Sequence, residues 1–252
     1  ETLITFINYF DLINIKSIKS NEHKIYFKGK FAKGIGKINT ISKLLKILDS
    51  KKLLKEKFKI EVIKNIPTKA GLGGGSMNAA NLISFFLKNR LIRLKKNKVI
   101  KLANSIGSDV ILGIEARNSI LKSNGKLIKF SKKLKYYVLV TKPNIGCSTK
   151  KIYSKVNTYS KSKYDYLKSS IFDKKNIINI NNDLEKIVLK EHPETMKVKL
   201  FLSNLLNVNF VRMTGSGSSI VAYFQSKKAL DIAYREFRKQ FNNYWCIKSK
   251  TI

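Results

Sequence analysis

Four of the five residues 71–75 are glycine, and the run continues through Ser76-Met77-Asn78-Ala79-Ala80 into an apolar, helix-like stretch. Bare backbone ahead of a helix is a device for anions. The first N–H groups of a helix lack intrahelical partners and sit at the positive end of its dipole. Glycine lets that backbone approach a phosphate closely. Ser76 adds a hydroxyl suited to a phosphate oxygen or a metal ion. A second glycine turn, Thr214-Gly215-Ser216-Gly217-Ser218-Ser219, lies between two apolar runs. The third feature is Asp109. No Asp or Glu occurs between Glu61 and Asp109, which directly follows Gly107-Ser108. A carboxylate placed there can accept the proton of a reacting hydroxyl.

Two phosphate loops do not fit. A P-loop needs Lys and then Ser or Thr after its last glycine, whereas Gly75 is followed by Ser76-Met77. A dinucleotide fold needs G-x-G-x-x-G and an acid roughly 20 residues further on. Ser76 stands at the third glycine position, and no acid follows before Asp109. A tight structural turn is the plainer alternative, which so many glycines ahead of a helix disfavour.

The elements around these residues follow from periodicity. Residues 58–65 alternate as a strand does, and Pro67 and the glycines end it. Residues 77–87 read as a helix. Residues 39–48 read as a capped helix, and 99–105 as a short one. Residues 13–25 read as strand and turn. Residues 114–130 read as paired strands around Asn124-Gly125. Residues 136–141 read as a strand, followed by Pro143, Gly146 and a helix capped near Ser148. Strands at 209–213 and 220–224 flank the second glycine turn. A helix at 229–241 and a strand at 244–248 close the chain. Without regular βαβ alternation the class is α+β.

The stretch Pro67-x-x-Ala70-Gly71-Leu72-Gly73-Gly74-Gly75-Ser76-x-Asn78-Ala79-Ala80 resembles the phosphate-binding motif of the GHMP superfamily, the galactokinase, homoserine kinase, mevalonate kinase and phosphomevalonate kinase group. Its triple glycine is most similar to the branch that phosphorylates 4-diphosphocytidyl-2-C-methyl-D-erythritol in isoprenoid precursor synthesis. Gly107-Ser108-Asp109-Val110, Asn182-Asp183-Leu184-Glu185 and Arg212-Met213-Thr214-Gly215-Ser216-Gly217 resemble further segments of that group, in the same order.

The resemblance implies a two-domain GHMP kinase fold. Residues 1–132 would form a ribosomal-protein-like α/β sandwich and 133–252 a ferredoxin-like α+β domain. It implies ATP and Mg²⁺ as cofactors and Asp109 as catalytic base. Gly71, Leu72, Gly73, Gly74, Gly75, Ser76 and Asn78 would cradle the ATP phosphates, with Ser76 also touching Mg²⁺. Asn39 would lie near the adenine. Gly215, Ser216 and Gly217 would lie near the transferred phosphoryl, and Pro143 near the cytidine end of the substrate. Each has a plainer alternative: a helix cap for Asp109 and Asn39, a simple turn for Pro143 and for residues 215–217. Other kinases of the superfamily, of the homoserine or mevalonate type, remain an alternative.

The sequence departs from that pattern in places. The family's first motif, a P-[AS]-K-[IL]-N-L strand, and a G-Y-H segment do not occur, so an upstream segment carrying them is expected. Met77 replaces a second serine, and Ile111 replaces a proline.

A chain of 252 residues with 43% hydrophobic residues can bury a core. Its formal net charge of +35 raises nucleic acid as a partner. The lysines spread along the whole chain without an arginine cluster or basic tail, so coding bias is the preferred explanation. An RNA- or ribosome-binding protein stands as the alternative from another class. The expected partner is a small-molecule substrate, with no membrane, for a monomer or homodimer. No apolar run approaches the roughly 18 residues of a spanning helix. Cys147 and Cys246 cannot build a disulfide framework, which fits the cytoplasm, or a plastid stroma in a plastid-bearing source.

Overall fold

A computed structural model describes residues 1–123, 125–161 and 169–252 of the protein. Its contacts divide the chain into two compact units, Phe10–Thr68 with Gly73–Ala116, and Glu1–Tyr9 with Lys69–Leu72 and Arg117–Ile252. The chain opens with β1 (Thr2–Ile4), which belongs to the second of these.

The first unit is built on a three-stranded sheet of β2 (Leu12–Ile18), β3 (Lys24–Lys28) and β4 (Lys57–Ile63), in the order β2-β4-β3. β3 and β4 run parallel, so the chain returns between them through the helix α1 (Thr40–Ser50). β4 alternates strictly: Phe58, Ile60 and Val62 are buried, and Lys57, Lys59 and Glu61 are only half-buried. That period of two puts one face of the sheet on the core. Against it lie α1, α2 (Gly74–Lys88) and α3 (Lys96–Ile106). Leu44, Leu48, Ile83 and Phe86 are fully covered there. Each such side chain contributes about 2 kcal/mol of transfer free energy. α4 (Val110–Ile114) follows, where periodicity had suggested that strands begin.

In the second unit β1, β5 (Ser119–Leu121) and β6 (Leu127–Lys129) form one small antiparallel sheet. The expected hairpin is therefore present, although Asn124 of its turn lies outside the described residues. β7 (Tyr137–Lys142), β8 (Phe210–Met213), β9 (Ile220–Phe224) and β10 (Trp245–Lys250) form an antiparallel sheet in the order β10-β7-β9-β8. On one face pack α7 (Asp183–Glu191), α8 (Pro193–Ser203) and α9 (Lys227–Gln240). α5 (Thr149–Tyr153), a 3₁₀ turn (Ser169–Phe172) and α6 (Lys174–Ile177) complete the unit. The mixture of helices and sheets in two units matches the expected α+β class.

The sequence placed a domain change at 132/133, whereas the contacts change over at Arg117. The cause is β1. It pairs with β5, so the β5–β6 hairpin joins the second unit.

Candidate active site

α2 begins at Gly74, not at Met77 as periodicity suggested, so two of the glycines lie inside its first turn. Gly73 caps it with φ 66° and ψ 10°, a left-handed conformation that glycine adopts without steric cost. No side chain caps the helix, and no acid lies in its first turn. Its first N–H groups are thus left for an external acceptor. A Cβ on Gly74 would lie 3.0 Å from Cγ2 of Ile66, so this turn tolerates little more than backbone. The carbonyl of Gly75 accepts from the Thr40 hydroxyl at 2.7 Å. Ser76 is half-buried, and among the described residues its hydroxyl has no hydrogen-bond partner.

The approach to this helix is fixed by a residue that sequence reasoning missed. The Asp11 side chain is fully buried and accepts from the N–H groups of Asn65 at 2.8 Å and Ile66 at 2.9 Å. It also accepts from Nδ2 of Asn78 at 2.9 Å and pairs with the buried ammonium of Lys64. Asp11 therefore ties the end of β4 to the second turn of α2. Asn78, expected among the phosphate ligands, is 6% exposed and directs its amide to Asp11 instead. The signal available in the sequence was an acid between Phe10 and Leu12 in a chain with only 16 acids.

Asp109 occupies the N-cap position of α4 but makes no capping hydrogen bond, so the plain cap does not account for it. Its carboxylate is exposed, and among the described residues it accepts only from the Ser108 hydroxyl, at 3.2 Å. Among the described residues no cation pairs with it. α4 packs on α2 through Gly113. A Cβ there would lie 2.7 Å from Cβ of Ala80 and 2.8 Å from Sδ of Met77. The Met77 that replaces serine thus lies directly under α4. Asn39 is the N-cap of α1. Its Oδ1 accepts from the N–H groups of Ile41 and Ser42, both at 3.0 Å, and its Nδ2 donates to Gly36 at 3.0 Å. Both of its polar atoms have partners within the chain, as the plain capping role requires.

Gly71 and Leu72 belong to the other unit, where they meet the second glycine turn. The Gly71 carbonyl accepts from the Thr214 hydroxyl at 3.1 Å, and Ser219 donates its N–H to Ala70 at 3.2 Å. Gly215 and Gly217 both have positive φ, and Ser216 between them is buried. Ser216 shares a hydrogen bond of 2.9 Å with Thr149 at the start of α5. Ser218 donates to the Ile145 carbonyl at 2.8 Å. Beside the turn, Lys142 donates to the carbonyls of Pro143 at 3.0 Å and Ile145 at 2.5 Å. Burial pushes the Lys142 ammonium below the usual lysine range, partly offset by Cys147. Burial pushes the Cys147 thiol up, partly offset by Lys142, and so disfavours its thiolate. Pro143 is buried just beyond β7.

The structure thus brings Gly73, Gly74, Gly75, Ser76, Asn78, Asn39 and Asp109 into one unit, and Gly71, Leu72, Gly215, Ser216 and Gly217 into the other. Chemically, the first set offers unpartnered helix N–H groups, a hydroxyl and an unpaired carboxylate.

Comparison with known proteins agrees with this chemistry. Residues 39–116 match the N-terminal domain of GHMP kinases and residues 172–243 their C-terminal domain. A 4-diphosphocytidyl-2-C-methyl-D-erythritol kinase of Pelagibacter ubique is 56% identical over all of this chain and 90% of its own length. One from Ehrlichia canis is 31% identical over 94% of this chain and 85% of its own. Among solved structures, a 4-(cytidine 5'-diphospho)-2C-methyl-D-erythritol kinase superposes with a TM-score of 0.75 at 20% identity. That superposition covers 95% of this chain and 86% of the other. A homoserine kinase from Cytophaga hutchinsonii superposes with a TM-score of 0.63 at 15% identity, covering 98% and 90%. At such identities these structures speak to the fold.

Proposed function

The chain belongs to the GHMP kinase family, and on that premise we propose that it transfers the γ-phosphoryl group of ATP to the 2-hydroxyl of 4-diphosphocytidyl-2-C-methyl-D-erythritol. The observation that carries this substrate is the 56% identity with the Pelagibacter kinase across the whole chain. The reaction would serve isoprenoid precursor synthesis. Cys147 and Cys246 are both free thiols, which supports a reducing compartment such as the cytoplasm. No described helix is long and apolar enough to cross a membrane.

Phosphoryl transfer to an alcohol needs positioning, charge stabilisation and a proton acceptor. The start of α2 supplies the first two. The N–H groups of Gly74, Gly75 and Ser76 point along a 15-residue helix dipole and hold phosphate oxygens. The glycines leave room for the oxygens to reach that backbone. Asp109 accepts the substrate hydroxyl proton. Among the described residues no cation holds its carboxylate in place, so it is available as a base. Asn78 and Asn39 act by fixing the helices rather than by touching ligand, on the bonds their side chains make here.

Mg²⁺ fits the residues present. Among the described residues no group of three or more His, Cys, Asp or Glu could cage a metal. Mg²⁺ in phosphoryl-transfer sites leans on the nucleotide phosphates and water, with few protein oxygens. The unpartnered Ser76 hydroxyl is such an oxygen, and Asp109 is a second. When bound with ATP, Mg²⁺ would offset phosphate charge.

The test is ADP release by the native full-length protein with ATP, Mg²⁺ and 4-diphosphocytidyl-2-C-methyl-D-erythritol. Turnover with this alcohol, and none with homoserine or mevalonate, is expected. Turnover confined to another alcohol would refute the substrate.

A further inference from the structure

The second glycine turn is gripped by the side chains of Asn182, which caps α7, and of Glu185 in its first turn. Asn182 is the N-cap of α7, and its Oδ1 accepts from the Leu184 N–H at 3.0 Å. Its Nδ2 reaches away from the helix and donates to the carbonyls of Met213 at 3.1 Å and Gly215 at 2.8 Å. One turn further on, Oε2 of Glu185 accepts from the Met213 N–H at 2.7 Å, and Oε1 pairs with Lys199. Met213, the last residue of β8, thus has both backbone groups held by α7.

The consequence lies in the groups left over. Thr214 donates its N–H to Ser219, and Gly217 donates its N–H to Thr214. The N–H groups of Gly215 and Ser216 have no acceptor among the described residues. Successive free N–H groups flanked by positive-φ residues form a concave anion site. Gly215 and Gly217 have φ 51° and 77°.

We propose that Asn182 and Glu185 are positioning residues that hold the 214–217 turn open for a phosphate group of ATP. The inference rests on the kinase reading above. Capping alone does not need it, because a cap uses Oδ1 and leaves Nδ2 free to face water. Here Nδ2 has two acceptors, both on the turn.

The test measures ATP affinity by calorimetry and the thermal midpoint of the native full-length protein. Serine caps helices about as well as asparagine but cannot donate across to the turn. Asn182→Ser is expected to keep the midpoint and to raise the ATP dissociation constant about tenfold. An unchanged dissociation constant would overturn the inference and reduce Asn182 to a cap. Should Asn182→Ser lose stability as well, Glu185 decides. Glu185→Ala is expected to weaken ATP binding about tenfold, and Glu185→Gln, which keeps an oxygen for Met213, to restore it. Equal affinities of the two Glu185 variants would overturn the inference. Turnover is measured alongside. A wild type that binds ATP but does not phosphorylate the proposed alcohol sinks the substrate and leaves the positioning role standing.

Discussion

Gly71 and Thr214 touch so closely that a Cβ on Gly71 would lie 2.2 Å from the Thr214 carbonyl oxygen. The Thr214 hydroxyl donates back to the Gly71 carbonyl at 3.1 Å. Gly71 and the second glycine turn, 143 residues apart in sequence, are thereby held together within one unit. Gly71→Ala would force apart atoms that cannot yield, at a φ of +69°. Strain and overpacking together should cost about 3 kcal/mol. Urea unfolding measures it, and a loss below about 1 kcal/mol would mean that the contact relaxes easily.

α4 and α2 make a similar contact. Gly113→Ala would set its methyl 2.7 Å from the Ala80 Cβ. α4 should shift, and Asp109 at its start with it. Turnover is expected to fall far more than ATP affinity. Adding Ala80→Gly should recover much of the turnover, at about 1 kcal/mol of helix propensity. Steady-state kinetics of the single and double variants decide it. No recovery in the double variant would contradict the steric account.

Asp11 and Lys64 form a buried pair, with side chains 0% and 4% exposed. Asp11→Asn would leave the Lys64 ammonium buried without its counter-charge. Removing one partner of such a pair costs about 3 to 5 kcal/mol. Lys64→Met in the Asp11→Asn background should restore most of that loss in chemical denaturation. An additive further loss would show that the ion pair is not the cause.

Much of this was legible in the sequence, and what was not has physical reasons. The strand at β4 and the helix at α1 followed from period and capping, because one face of each is buried. The glycine run announced a helix start of bare backbone, and the structure has one at Gly74 without a side-chain cap. The start of α2 was misread because glycine disfavours helix interiors, yet the close approach of Ile66 to Gly74 leaves little room for a side chain in that first turn. The bond from the Asn78 amide to Asp11 was not legible, because its partner lies 67 residues away, whereas the Asn39 cap was, because its partners are local. Asp11 was missed because its importance comes from four partners, all of them more than fifty residues along the chain. β1 moved the unit boundary because strand pairing across more than a hundred residues leaves no local signal.

Asp49 gives a pH dependence. Burial pushes its carboxyl up, but hydrogen bonds from Lys57 and His23 outweigh this and hold it below its ordinary 3.8. A carboxylate depressed on folding adds stability that is present above the unfolded value and lost as pH falls through the folded one. The thermal midpoint should therefore drop as pH falls below about 4. Asp49→Asn should be less stable at neutral pH and show a shallower acid limb. Parallel acid limbs in the two proteins would contradict this.

If Asp109 is the base of this kinase, Asp109→Asn removes the proton acceptor and little else. The residue is exposed and caps nothing, so the fold should survive the change. With ATP, Mg²⁺ and 4-diphosphocytidyl-2-C-methyl-D-erythritol, kcat should fall about a thousandfold while the ATP dissociation constant stays as in the wild type. Unchanged turnover in Asp109→Asn would contradict the account.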